Sequence, residues 1–173
     1  MSKIAFIFPG QGAQKTGMGK DFYEQSQRAA EIYDAASKRL KEEMEIDIRT
    51  LCFDENDKLD QTAYTQAALV TTCLAMARTL EEKGVRADVT AGLSLGEYCA
   101  IAVAGGMSDL DAVWAVRKRG VLMEEAVPTG VGAMAAVLGL SAEQIEKVTE
   151  EIKGVTVANY NCPGQVVITG ETD

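Results

Sequence analysis

The chain contains no histidine. A nucleophilic serine or cysteine ordinarily takes an imidazole as its base, so these 173 residues hold no complete triad of that kind. The same absence, with Cys52, Cys73, Cys99 and Cys162 forming no C-x-x-C pair, excludes the usual zinc spacings, and no metal is expected. The four scattered cysteines read as free thiols of a reducing compartment. Positive charge is scarce: 17 Lys and Arg face 26 Asp and Glu, for a net charge of -9. Non-specific nucleic-acid binding, which needs phosphate-neutralising cations, is therefore not expected. Long apolar runs are missing as well. The run Ile4–Phe8 is too short for a signal segment or a membrane span, so the expected compartment is the cytoplasm, with no membrane partner. There are no repeats and no low-complexity segments.

What is present centres on Val89-Thr90-Ala91-Gly92-Leu93-Ser94-Leu95-Gly96-Glu97. It reads as a short β run, a Gly-x-Ser-x-Gly turn and a helix. A serine on such a turn projects its hydroxyl into a cleft, and the flanking glycines allow the backbone to make the turn. The N–H of Leu95 then points to the same place and can hold a developing oxyanion.

The loop Pro9-Gly10-Gln11-Gly12-Ala13-Gln14 follows an apolar run over Lys3–Phe8 that reads as a buried parallel strand. It fits neither the Walker A spacing nor the dinucleotide fingerprint. It remains a turn at the carboxyl end of a strand, either a plain β–α connection or a second source of oxyanion-binding N–H groups. Arg119 is the one charge on a row of Ala112, Ala115, Val116, Leu122 and Met123. It calls for a carboxylate partner, a path to water, or a substrate carboxylate gripped by its fork. Arg117 and Lys118 read as solvated helix charges. Helices are expected at 21–41 with an internal break, near 46–51, over 62–83, from the serine to about 104, and from about 109 to 127. Past Pro128 the rhythm changes to a strand over 132–140, a helix opened by the capping box Ser141-x-x-Gln144, and β runs at 155–159 and 165–169 about a turn at 160–164. This β-α-β-β order is part of a ferredoxin-like split βαβ. Its apolar face needs a second helix, so the chain reads as a piece of a longer protein or as one completed by a separate chain.

Taken in order, Pro9-Gly10-Gln11-Gly12, Gly92-Leu93-Ser94-Leu95-Gly96-Glu97, Arg119-Gly120, Met123-x-x-Ala126-Val127-Pro128, Gly132-Ala133-Met134 and Asn159-Tyr160-Asn161-Cys162-Pro163-Gly164-Gln165 closely resemble malonyl-CoA:acyl carrier protein transacylases of fatty acid synthesis. The resemblance runs over the whole chain and covers only the first half or somewhat more of the family's domain. It implies an α/β fold, with an incomplete α/β-hydrolase-like parallel-sheet core over residues 1–128 and a partial ferredoxin-like subdomain over 129–173. It implies Ser94 as the malonylated nucleophile, the N–H groups of Gln11 and Leu95 as the oxyanion hole, Arg119 as the grip on the malonyl carboxylate, and Asn161 near the cleft. It implies malonyl-CoA and phosphopantetheinylated acyl carrier protein as substrates, with no cofactor. Leu93 stands where the family often has histidine. The family's catalytic histidine falls beyond residue 173, so the chain alone is expected to be inactive, since loss of the base costs a serine hydrolase about 10⁶ in kcat. Two other readings stay open: an acyl hydrolase of the Gly-x-Ser-x-Gly type, although no Asp-Gly pair is present, and a non-catalytic docking fragment for the acidic carrier protein using Arg117-Lys118-Arg119 or Lys15 and Lys20.

Overall fold

Strand β1 (Ala5–Phe8) pairs in parallel with β2 (Val89–Gly92), from Ala5↔Val89 to Phe8↔Gly92, in the computed structural model, which describes residues 3–128 and 130–172. The run was expected to be buried on both faces. Instead Phe8 is buried while Ile7 is 77% and Val89 56% exposed. The physical reason is the sheet itself: among the described residues β1 and β2 pair only with each other, and helix α5 (Gly96–Val103) packs against them.

The contacts divide the chain into two units, Met1–Glu124 and Glu125–Asp173. In the first, the break expected within 21–41 falls at Ser26. Helix α1 (Lys20–Gln25) ends there, and α2 (Gln27–Leu40) starts with the Ser26 hydroxyl accepting from Ala29 N–H. Asp47 caps α3 (Ile48–Phe53) by accepting from Arg49 N–H. Helix α4 (Thr62–Glu82) is the centre of this unit. Of the row at helical spacing, Ala63, Ala67, Val70, Leu74, Ala77 and Leu80/Glu81, the middle four are buried, Ala63 and Glu81 are half-buried and Leu80 is exposed, while Thr65, Gln66, Thr71, Thr72 and Thr79 are buried as well. Thr65, Thr72 and Thr79 enter the core with their hydroxyls donating back to the carbonyls of Gln61, Ala68 and Ala75 at 2.8–2.9 Å, whereas the Thr71 hydroxyl is buried with no hydrogen-bond partner among the described residues. Ser108 caps α6 (Asp109–Ala126), its hydroxyl accepting from Asp111 N–H. Buried Tyr33 ties the glycine-rich loop to α4, donating to Met18 C=O at 3.2 Å beside Thr72 Oγ1 at 2.7 Å. All four cysteines are free, and burial pushes the Cys52 thiol up to about 12.

The second unit is the expected β-α-β-β run: β3 (Gly132–Leu138), α7 (Ala142–Glu151), β4 (Val155–Cys162) and β5 (Gln165–Glu171). The sheet is antiparallel in the order β3-β5-β4. The capping box at Ser141 and Gln144 is complete. The loop expected at 160–164 is shorter than its sequence suggests. Tyr160 and Cys162 pair with Val166 and Gln165 through two register shifts, which leaves only Pro163-Gly164 to turn, Gly164 at φ 81°.

Candidate active site

The serine turn is built by backbone contact. A Cβ on Gly92 would lie 2.0 Å from the Gly96 carbonyl carbon, and one on Gly96 would lie 2.3 Å from Phe8 O. Side chains at either position would drive α5 away from β1 and β2, so both glycines of the motif are required by packing. Between them Ser94 takes φ 49°, the left-handed region, where it is the one non-glycine residue among those described. Such a conformation costs about 1–3 kcal/mol and persists only where the surroundings impose it. Here they do: Leu93 N–H extends the ladder to Phe8 C=O (3.1 Å), while Gly96 N–H and Glu97 N–H bond back to Leu93 and Ser94 C=O.

The loop after β1 meets the turn from the other side, a Cβ on Gly10 lying 3.1 Å from Leu93 O. The N–H groups of Gln11 and Leu95 donate to no partner among the described residues. Both donors thus lie just past the carboxyl ends of adjacent parallel strands.

Arg119 on α6 completes the cluster. Its Nη2 donates to Ser94 Oγ at 3.2 Å and its Nη1 to Gln66 Oε1 at 2.7 Å, with Tyr98 of α5 beneath at 6.0 Å from guanidinium carbon to ring centre. Of the fates open to an arginine on an apolar row, the structure takes none that neutralises it: its partners among the described residues, Gln66, Ser94 and Tyr98, are uncharged. A half-buried guanidinium with neutral neighbours keeps its full affinity for an incoming carboxylate.

Arg117, expected as a solvated charge, is buried instead. Its Nη1 donates to Ala63 C=O (2.5 Å), its Nη2 to Glu43 C=O (2.7 Å), and its guanidinium stacks 4.8 Å from the Tyr64 ring centre. Three neighbours distant in sequence replace water at Nη1, Nη2 and the guanidinium face, while Nε is buried with no partner among the described residues, so the helix row alone does not reveal the burial. Lys118 is half exposed and pairs with Glu43 at 2.9 Å. Gln66, missed in the sequence, is fully buried between Gln11 and Arg119; a lone amide four residues before Val70 on the core side of a helix was the available signal. Asn161 belongs to the second unit, where its Nδ2 donates to Gln165 Oε1 at 3.1 Å. Among the described residues no group of three His, Cys, Asp or Glu side chains could hold a metal ion, and no helix is long and apolar enough to cross a membrane.

A family described as the acyl transferase domain matches residues 5–173. The chain belongs to that acyl transferase family. It is 50% identical to a malonyl CoA-acyl carrier protein transacylase of Bacillus subtilis over 98% of its own length and 54% of the relative's. The malonyl CoA-acyl carrier protein transacylase of Clostridium perfringens superposes with a TM-score of 0.88 at 42% identity, over 99% of this chain and 54% of that one. A malonyl-transacylase solved in complex with a type II polyketide acyl-carrier protein superposes equally well (TM-score 0.88, 38% identity, 99% and 56%). The chain thus spans about half the length of the curated relatives it matches. The expected α/β fold is the fold of these acyl transferases.

Proposed function

We propose that the protein carrying this sequence moves a malonyl group from coenzyme A to the phosphopantetheine thiol of an acyl carrier protein. The observation that carries the reading is the uncharged surroundings of Arg119, a guanidinium 3.2 Å from a serine hydroxyl on a strand-to-helix turn. In the forward half-reaction Ser94 Oγ attacks the thioester carbonyl, and its proton leaves to a base. Gln11 and Leu95 N–H hold the oxyanion, and collapse expels the coenzyme A thiolate to give malonyl-Ser94. The Arg119 fork grips the free carboxylate and so orients the carbonyl. Attack by the carrier's thiol then reverses the sequence. The base is not among these 173 residues, which lack histidine. The chemistry asks for no cofactor beyond the two substrates. The role of Asn161 rests on the resemblance and enters no step. The four free thiols suit a cytoplasmic setting.

The test is an intact mass of the chain, alone and with any polypeptide that co-purifies with it, before and after malonyl-CoA. A malonyl adduct on Ser94, lost on adding the carrier protein, supports the transfer. Where the adduct forms, Arg119→Ala should cut malonyl loading about a hundredfold, the worth of two charge-assisted hydrogen bonds, and leave acetyl loading equal or higher. Equal loss of both would remove the carboxylate grip from Arg119.

A further inference from the structure

The side chains behind Ser94 form one directed chain of hydrogen bonds. Arg119 Nη1 donates to Gln66 Oε1 (2.7 Å), Gln66 Nε2 lies 3.5 Å from Gln11 Oε1 and 3.3 Å from Met123 Sδ, and Gln11 Nε2 donates to Thr62 Oγ1 (3.1 Å). Its direction is set by Arg119, which has donors and no acceptor. A guanidinium N–H aimed at the Gln66 amide admits only the oxygen there. That turns Gln66 Nε2 toward Gln11, which presents its own oxygen in return and passes its NH₂ to Thr62. Gln66 is fully buried, and all of its polar atoms are engaged within this network.

We infer that Gln66 is a positioning residue that holds the Arg119 guanidinium in place with a neutral acceptor, and so leaves its charge for the carboxylate of a carboxylated acyl substrate. The inference rests on the malonyl-transfer reading. A carboxylate at the same position would hold Arg119 at least as firmly. It would also neutralise it, and the substrate carboxylate would then have to compete with a buried resident anion. An apolar side chain of similar length would leave the charge and lose the orientation. Glutamine supplies orientation without neutralisation. A close approach of two helices makes this reach possible: α6 lies so near α4 at Gly120 that a Cβ there would sit 2.7 Å from Thr62 O.

The two variants separate charge from position. The binding of malonyl-CoA and acetyl-CoA to the 173-residue chain is measured by calorimetry, and rotation of the Arg119 guanidinium by ¹⁵N NMR of its Nε–H and Nη–H groups. In the parent chain malonyl-CoA should bind more tightly than acetyl-CoA, and Arg119 Nη rotation should be slow. Gln66→Glu should reduce the malonyl-to-acetyl affinity ratio by about tenfold or more, the worth of a charge-assisted hydrogen bond, while rotation stays slow. Gln66→Leu should reduce the ratio as well, with rotation becoming fast. A Gln66→Glu chain that is folded and keeps the parent ratio overturns the inference. If the parent chain shows no malonyl preference, the malonyl reading has failed. The positioning role then stands or falls with the Gln66→Leu spectrum, where unchanged Nη rotation overturns it.

Discussion

Replacing Gly96 by alanine sets two effects of opposite sign against each other. Alanine is the better helix former by at most about 1 kcal/mol, and Gly96 is the first residue of α5, with no left-handed φ to forbid a side chain. Propensity alone therefore predicts a small gain. Against it stands the Phe8 carbonyl, 2.3 Å from the position of the new Cβ, with Phe8 C and Pro9 O each at 2.8 Å. These are backbone atoms and cannot turn aside. Ordinary contact requires β1 and α5 to part by about 1 Å, and overpacking of this kind costs about 1–3 kcal/mol. The clash should win by about 1–2 kcal/mol, which lowers the melting temperature of the first unit by about 2–8 °C. Thermal unfolding followed by circular dichroism reads this directly. Gly84→Ala is the control: a Cβ at Gly84 meets nothing within 4 Å, so its cost is left-handed strain alone, about 1 kcal/mol. A Gly96→Ala chain as stable as the parent, or more so, would refute the claim that the serine turn is held by backbone contact. The same displacement would misplace Ser94 by a comparable distance, worth about 10² in acylation rate.

Arg117→Ala should destabilise the first unit by about 2–4 kcal/mol, since two charge-assisted hydrogen bonds and a cation–π contact are lost. It should leave the malonyl-to-acetyl ratio alone, and urea titration with the two binding measurements separates it from Arg119. Asp47 gives an acid-side signature. The Arg49 guanidinium beside it holds its carboxyl below the usual carboxylate range. A depressed folded-state pKa contributes stability that is present above the unfolded value, near about 4, and lost as pH falls through the folded value. Asp47→Asn keeps the helix cap, so it should cost under about 1 kcal/mol at neutral pH. It should flatten the stability profile below about pH 4; an unchanged acid limb would dismiss the pair.

The serine turn and the capping box at Ser141 were legible because each is set by a few consecutive residues, and a break within 21–41 was legible too, though not its place at Ser26. Arg119 was legible as a charge on an apolar row. Its neighbour two residues away was not, because the burial of Arg117 depends on Ala63, Glu43 and Tyr64, which only the fold brings together. Helix α4 shows the limit of periodicity: Thr65, Thr72 and Thr79 satisfy their own hydroxyls along the helix, so polar residues enter the core and the amphipathic stripe disappears. The Ile4–Phe8 run misled in the other direction. Apolar residues on both faces of a strand read as burial, yet Ile7 faces out of a two-stranded sheet.

The two arginines that flank Lys118 grip α4 at adjacent points, Arg117 at Ala63 C=O and Arg119 at Gln66 Oε1. One residue inserted upstream of them in α6 would rotate both by about 100° about the helix axis, and one deleted would rotate them as far the other way. No rotamer change recovers that angle for two side chains at once. The segment from Asp109 to Arg119 can therefore drift in composition along its outer face while its length stays fixed, and changes of length in this protein should collect in its loops.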